Sequence, residues 1–80
     1  MAKSQHVIGY RVVLKLLREM REEAGLTQRQ MAEKVRKPQP WVHKSETGER
    51  RLDIHEFLIW CKACDVDAEV AFRRFIGLKP

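Results

Sequence analysis

The stretch LTQRQMAEKVRKPQPWVHKSETGERR, residues 26–51, joins an apolar helical pattern to basic and amide side chains and interrupts it with two prolines. Pro38 and Pro40 would damage the interior of a helix. In a first turn they are tolerated, because the amide hydrogens that they lack would be unpaired there anyway. The stretch therefore predicts one short helix that ends before the prolines and a second that begins at them and runs to about residue 46.

The first of these helices has clear end signals. Thr27 and Gln30 have the spacing of a capping box, and the proline pair limits the helix to about Val35. Ala32 is small enough for the two helices to approach closely, and Val42 can anchor the second helix to the core. Two short helices joined by a tight turn, the second rich in basic and amide residues, indicate a helix-turn-helix.

The rest of the chain predicts three further helices and no strand. An apolar stripe predicts a helix over residues 9–24 that ends at Gly25. Asp53 and Asp67 are the expected caps of the last two helices. The apolar positions of the fourth helix are Ile54, Phe57, Leu58, Cys61 and Cys64. Those of the fifth helix are Val70, Ala71, Phe72, Phe75 and Ile76. The prediction is therefore an all-α protein of five helices.

Length and charge limit the kind of protein. Eighty residues suit one small domain, which is expected over residues 9–78 behind a flexible tail at residues 1–8. The net charge is +5, and residues 26–52, with seven Lys/Arg and three Asp/Glu, carry a net +4. A basic patch suggests a polyanion partner, although a solvated basic face is the alternative. No apolar run is long enough for a membrane span or a secretory signal, so we expect a cytoplasmic protein of a prokaryote or a phage.

Cys61 and Cys64 have the C-x-x-C spacing of a redox pair or of half a zinc site. A structural zinc needs about four ligands, and no second ligand pair lies at a suitable spacing. A thioredoxin-like site needs strands, which the pattern does not predict. Both cysteines lie on the apolar stripe of the fourth helix, so we expect small core residues and no metal or cofactor. No catalytic set lies on a credible pocket, so we expect no enzyme.

These patterns together resemble the helix-turn-helix of the Cro and phage-repressor (Xre-type) family of transcriptional regulators. The family motif has the form L-T-Q-x-x-[LM]-A-x-x-[VL]-G, then a recognition helix, then E-x-G-x-R. The matching residues here are Leu26, Thr27, Gln28, Met31, Ala32, Val35, Val42, Glu46, Gly48 and Arg50. The similarity covers roughly residues 10–67. It implies a compact five-helix, lambda-repressor-like DNA-binding domain with its motif at about residues 27–47.

The resemblance also implies which side chains meet double-stranded DNA. The recognition helix, about residues 39–46, would enter the major groove with four side chains, Gln39, Pro40, His43 and Lys44. Sugar and phosphate would be contacted by five others, Gln28, Lys37, Thr47, Arg50 and Arg51. A Gln can pair with adenine and a Lys with guanine, whereas contacts to the DNA backbone set affinity and register. The alternative at each position is a solvated surface residue.

Three residues depart from the family pattern. Arg36 replaces a glycine that often takes a left-handed conformation at the end of the first motif helix, at a cost of about 1 kcal/mol. Ser45 stands where an apolar residue normally faces the core, and Pro40 removes a hydrogen-bonding side chain from the groove.

Trp41 is expected to pack near the start of the fourth helix, and Trp60 to flank the core or touch a second subunit.

The expected function is a sequence-specific DNA-binding regulator, in the role of a repressor, that binds a pseudo-palindromic operator as a homodimer. The last helix offers a candidate dimer surface, Phe72, Phe75 and Ile76, although the same residues could simply close the small core. Two alternatives stay open. One is an antitoxin that shares the fold and caps a toxin, and the other is a protein-interaction module with no DNA role.

Overall fold

The computed structural model describes the backbone of residues 2–77 and the side chains of residues 9–77. Within residues 2–77 the chain forms five α-helices and no strand. Helices α1 to α5 are Ala2–Glu23, Gln28–Val35, Gln39–Thr47, Ile54–Ala63 and Ala68–Gly77. The five-helix, all-α fold predicted from the sequence is confirmed.

The first helix begins at Ala2, whereas the sequence-based prediction started it near Gly9 and expected a flexible tail over residues 1–8. The predicted helix start was therefore wrong, because the segment AKSQHVI contains no proline or glycine to stop a helix. The glycine that follows weakens a helix by only about 1 kcal/mol, so it does not interrupt α1. The expected flexibility of residues 1–8 stays a prediction. Met1 and the expected domain end at residue 78 lie outside the described residues.

Gly25 ends α1 as predicted. Its φ angle is 74°, the left-handed region that favours glycine. The Gly25 amide donates to the carbonyl of Glu22 at 2.9 Å, and the Leu26 amide donates to that of Arg21 at 3.1 Å. This pair of bonds satisfies carbonyls that the end of the helix leaves open.

Asp53 and Asp67 cap α4 and α5, also as predicted. The Asp53 carboxylate accepts a hydrogen bond from the Glu56 amide at 2.7 Å. The Asp67 carboxylate accepts from the amides of Glu69 and Val70 at 2.8 and 3.2 Å. These local signals explain why the helix starts could be read from the sequence.

Trp60 lies at the centre of the core and is fully buried. Its indole N–H donates to the Leu17 carbonyl of α1 at 3.1 Å, so the polar group of this large side chain is satisfied. The prediction placed Trp60 at the edge of the core or against a second subunit, and it was wrong. Ile54 and Leu58, expected on the buried stripe, are 77% and 49% exposed. The helix is turned so that the indole, with more apolar surface, is buried instead. The core comprises Leu16, Leu17, Met20, Met31, Ala32, Val35, Val42, Trp60, Cys61, Ala63, Cys64 and Ala71.

Helix α5 buries much less of its apolar surface than the sequence pattern suggested. Ala71 is fully buried and Phe75 packs at the edge of the core. Val70, Phe72 and Ile76 are each about half exposed. Of the three candidate dimer residues, Phe75 therefore helps to close the core, whereas Phe72 and Ile76 are available to another surface.

Cys61 and Cys64 are buried free thiols, as expected for small core residues. Burial raises the pKa of both thiols, and that of Cys64 rises to about 11. A thiol with so high a pKa stays protonated at neutral pH and is a poor nucleophile. In the described part of the chain, no helix combines the length and apolar character needed to cross a membrane.

Candidate nucleic-acid interface

The turn between α2 and α3 is closed by Arg36. This residue has φ 59° and ψ 46°, the left-handed conformation anticipated for it. Its amide donates to the Glu33 carbonyl at 3.3 Å, and the Lys37 amide donates to that of Ala32 at 3.0 Å. The turn thus keeps the geometry usual for glycine, although the arginine side chain makes that geometry costlier by about 1 kcal/mol.

Pro38 and Pro40 direct the start of α3. Pro38 precedes the helix in an extended conformation, and Pro40 occupies its first turn. The Trp41 amide donates to the Pro38 carbonyl at 2.9 Å, so the first amide after Pro40 is already paired. Neither proline removes a helical hydrogen bond, which confirms their predicted place at the helix start.

Val42 and Ser45 anchor α3 to the core, and both are fully buried. Ser45, the departure from the apolar residue of the family pattern, donates its hydroxyl hydrogen to the Trp41 carbonyl at 2.7 Å. No buried hydroxyl is left unpaired at this position, so its desolvation is offset. Helix α3 is therefore anchored to the core despite the polar residue.

The opposite face of α3 is exposed. It carries the four side chains that the sequence assigned to the groove, and Thr47 extends it by one turn. Its members are Gln39, Pro40, His43, Lys44 and Thr47. The spacing of four and five residues places them on one side of a helix. The Thr47 hydroxyl donates to the Lys44 carbonyl at 3.3 Å, which closes the end of the helix. The structure thus brings together the predicted groove-facing set.

A buried ion pair joins α1 to α3. Arg21 contacts the Glu46 carboxylate through two nitrogens, with Nε to Oε2 at 2.5 Å and Nη2 to Oε1 at 3.1 Å. Arg21 also donates to the Leu26 carbonyl at 2.8 Å, and Gln28 donates to Glu46 Oε1 at 3.1 Å. The hydrogen bonds that Arg21 donates to the Glu46 carboxylate are the main reason why the pKa of Arg21 is raised. Helices α1, α2 and α3 are tied together by one carboxylate.

The sequence-based reasoning did not identify Arg21 as a structural residue. Arg21 follows Leu14 and Leu17 by seven and four residues, so it lies on the apolar side of α1. A charged side chain on the buried side of a helix needs a partner of opposite charge, so the position of Arg21 could have predicted an ion pair. The partner itself, Glu46, is distant in sequence and could not be chosen from spacing alone.

Trp41, in the first turn of α3, is partly buried and packs against the core, as expected of a packing residue. Its ring contact is with Trp60 in the second half of α4, rather than with the start of α4 as predicted. Its ring centroid lies 6.2 Å from that of Trp60. Two cations approach the same ring, the Arg50 guanidinium carbon at 4.6 Å and Lys37 Nζ at 5.8 Å. The exposed part of the indole is therefore covered by basic side chains of the predicted DNA-contacting set.

The loop between α3 and α4 holds Arg50 in a bidentate ion pair. Its Nη1 and Nη2 donate to the two carboxylate oxygens of Glu56 at 3.1 and 2.7 Å. The Arg50 amide also donates to the Lys44 carbonyl at 3.2 Å. The mutual hydrogen bonds raise the pKa of Arg50 and lower that of Glu56. Arg50 is thus bound to a protein carboxylate, which sequence reasoning did not anticipate.

Arg51 lies on the other side of the same loop and is exposed. Its guanidinium carbon is 4.8 Å from the centroid of the Tyr10 ring. The Tyr10 hydroxyl accepts a hydrogen bond from the Leu52 amide at 3.1 Å. Tyr10 therefore connects α1 to this loop and orients the segment that carries the two arginines.

Comparison with known proteins agrees with the geometry. A family model described as a helix-turn-helix domain matches residues 15–72. A solved structure, the XRE-family like protein from Pseudomonas syringae pv. tomato str. DC3000, is similar with a TM-score of 0.88 and 35% sequence identity. The match covers 100% of each chain. Among curated proteins, no significant match was found.

Proposed function

The chain belongs to the Xre-type family of helix-turn-helix DNA-binding regulators, and we propose that it represses transcription by binding a pseudo-palindromic operator. The observation that carries the proposal is the exposed polar face of α3, which stands on the buried Val42 and Ser45. A helix held on one side and polar on the other suits the major groove. Bound to an operator in the cytoplasm of a prokaryote or of a phage host, the domain would exclude polymerase.

Base recognition is assigned to the first turns of α3. Gln39 can pair with N6 and N7 of adenine, and Lys44 can donate to O6 and N7 of guanine. His43 lies between them on the same face and would meet an adjacent base. The ring of Pro40 offers an apolar contact to a thymine methyl group. Together these residues would read a short half-site.

Contacts to the DNA backbone are assigned to residues around α3. The side-chain NH2 group of Gln28 has two hydrogens. One is donated to Glu46, and the other can be donated to a phosphate. Lys37 and Arg51 bring positive charge to the two ends of the recognition helix, and Thr47 brings a hydroxyl. Such contacts would set affinity and register rather than sequence preference.

A homodimer would place two recognition helices about 34 Å apart on one face of the DNA. We assign Phe72 and Ile76 of α5 to the contact between the two copies, with Phe75 supporting them from below. Both exposed side chains lie on one flank of the helix, because they are four residues apart. Isologous packing of this flank would remove their apolar surface from water.

The same apolar flank favours a second candidate function, an antitoxin whose α5 caps a toxin. The two are separated by the mass of the purified chain at micromolar concentration. Sedimentation at the dimer mass supports the regulator that dimerises through α5. A monomer that becomes a stable heteromer only with the product of a neighbouring gene supports the antitoxin.

DNA binding is tested by selecting sites from a random double-stranded pool and measuring their affinity by fluorescence anisotropy at several salt concentrations. We expect affinity to fall steeply with salt, because phosphate contacts release counterions. Gln39→Ala should cost about 1–3 kcal/mol on the selected site and relax one base position. Lys37→Ala is the matched control and should weaken all sequences alike. Affinity that stays flat with salt would contradict DNA binding and favour a protein-interaction module.

A further inference from the structure

We propose that Arg50 is a positioning residue rather than a phosphate ligand, and that through Trp41 and Glu56 it fixes the orientation of the recognition helix. The inference rests on the proposed DNA-binding function. It reassigns a residue whose charge and place in the loop suggest direct contact with the DNA backbone.

The guanidinium of Arg50 is occupied on its edge and on its face. The edge makes the bidentate pair with Glu56, and the guanidinium carbon lies over the Trp41 ring, 4.6 Å from its centroid. The Arg50 and Glu56 side chains are only 30% and 17% exposed. A phosphate that approached Arg50 would also meet the negative charge of Glu56, so the pair offers little net attraction to DNA.

Glu56 connects this pair to the beginning of α4. Its Oε1 accepts from the Arg50 guanidinium and from the Asp53 amide at 2.9 Å. The Asp53 carboxylate in turn accepts from the Glu56 amide. The same carboxylate therefore completes the capping box of α4 and holds Arg50 in place.

Arg50 also contacts α3 at both ends. Its amide hydrogen bonds to the Lys44 carbonyl near the C-terminal end, and its side chain covers Trp41 near the N-terminal end. Trp41 lies two residues after Gln39, which is assigned to base recognition. A change in the Arg50 side chain would therefore alter how the groove-facing residues are presented, without removing any of their chemical groups.

The two roles for Arg50 predict different salt dependence. Loss of one phosphate contact lowers the slope of log affinity against log salt by about 0.9. Loss of a positioning contact leaves that slope unchanged. It should reduce discrimination at the base read by Gln39, by roughly five- to tenfold, which is the low end of what a bidentate base contact supplies.

The decisive experiment compares Arg50→Gln with Glu56→Gln in the full chain, on the selected DNA site and on a site changed at the Gln39 position. For a positioning residue, both substitutions reduce discrimination, leave the salt slope unchanged, and show less than additive effects when combined. For a phosphate ligand, Arg50→Gln lowers the slope, whereas Glu56→Gln frees Arg50 and tightens binding. Tighter binding by Glu56→Gln would overturn the proposal.

A third variant and a control keep the result interpretable. Arg50→Lys retains the charge but loses the bidentate and stacked geometry, so it should still lose discrimination if Arg50 positions α3. Normal discrimination by Arg50→Lys would contradict the proposal even if Arg50→Gln does not fold. Lys44→Ala serves as the control for DNA recognition itself. If the unmodified chain binds no DNA, the proposed function fails; if it binds and Arg50→Gln lowers the slope, only the role of Arg50 fails.

Discussion

Helices α3 and α5 have nearly the same length but are held in opposite ways. α3 is anchored by two fully buried residues, a buried ion pair at Glu46 and the Arg50 contacts, and it exposes polar side chains. α5 buries Ala71 completely, ties Arg74 to Glu23 at 2.9 Å, and exposes apolar side chains. An exposed polar face remains hydrated at no cost when nothing is bound to it. An exposed apolar face is better satisfied by another protein surface.

The largest effect should come from removing the buried anchor of α3. Glu46→Ala leaves the Arg21 charge buried without its partner and should cost about 3 kcal/mol in the free energy of unfolding, measured with urea. The matched control is Glu22→Ala, which breaks the exposed Arg18–Glu22 pair and should cost less than about 0.5 kcal/mol. Equal costs for the two variants would show that α3 is no better anchored than a surface helix.

The exposed flank of α5 can be tested by substituting one of its surface residues. Phe72→Ser should weaken self-association by about 2 kcal/mol, roughly 30-fold. It should lower the unfolding free energy of the monomer by less, because only half of the ring is buried, 5.9 Å from the centroid of Phe75. Sedimentation equilibrium over a range of concentrations measures this. Val70→Ser is the control, since Val70 is similarly exposed on the opposite flank of α5. If both substitutions weaken association equally, the contact is not the one assigned to Phe72 and Ile76.

A smaller effect is expected at the turn that leads into α3. Arg36→Gly removes the cost of a left-handed non-glycine residue and should stabilise the fold by about 1 kcal/mol. Asp65, at the end of α4, has a φ of 58° and is the matched position. Asp65→Gly should gain less, because aspartate tolerates this conformation better than arginine. Urea unfolding of both variants checks the order, and a loss of stability for Arg36→Gly would contradict it.

The smallest effect concerns pH and the Arg50–Glu56 pair. The pair lowers the pKa of Glu56 below its ordinary value of 4.5, so its contribution is present above that value and is lost as pH falls through the lowered pKa. Because the pair is partly exposed, we expect only about 0.5 kcal/mol. The stability difference between the unmodified chain and Glu56→Gln should shrink as the pH is lowered from neutral. A constant difference would show that the charge of Glu56 contributes nothing.

The parts of the fold that depend on neighbouring residues were predictable from the sequence. Thr27, Asp53 and the proline pair act within one helical turn, and the helices begin where these residues indicate. The rotation of α4 was not predictable, because a stripe through Ile54 and a stripe through Trp60 both fit the helical period. The choice depends on what α1 offers, namely the Leu17 carbonyl.

In the candidate site, too, some features were predictable from the sequence and others were not. Exposure of Gln39, His43 and Lys44 on one face follows from their spacing on a short helix. The role of Arg50 does not follow from spacing, since the sequence shows only a basic residue in a basic loop. Its side chain is directed by Glu56 and Trp41, which belong to two other elements. Contacts between residues of different elements could not be predicted from the sequence and are known only from the structure.

The two indoles of this chain give it a built-in optical probe. Trp60 is enclosed and hydrogen bonded, whereas Trp41 lies 6.2 Å away with part of its ring at the surface under two cations. Emission from the enclosed ring should stay blue and insensitive to quenchers until the protein unfolds. Emission from the surface ring should respond to iodide, to Arg50 substitutions and to bound DNA. One unlabelled sample can therefore distinguish local loosening of α3 from loss of the whole fold.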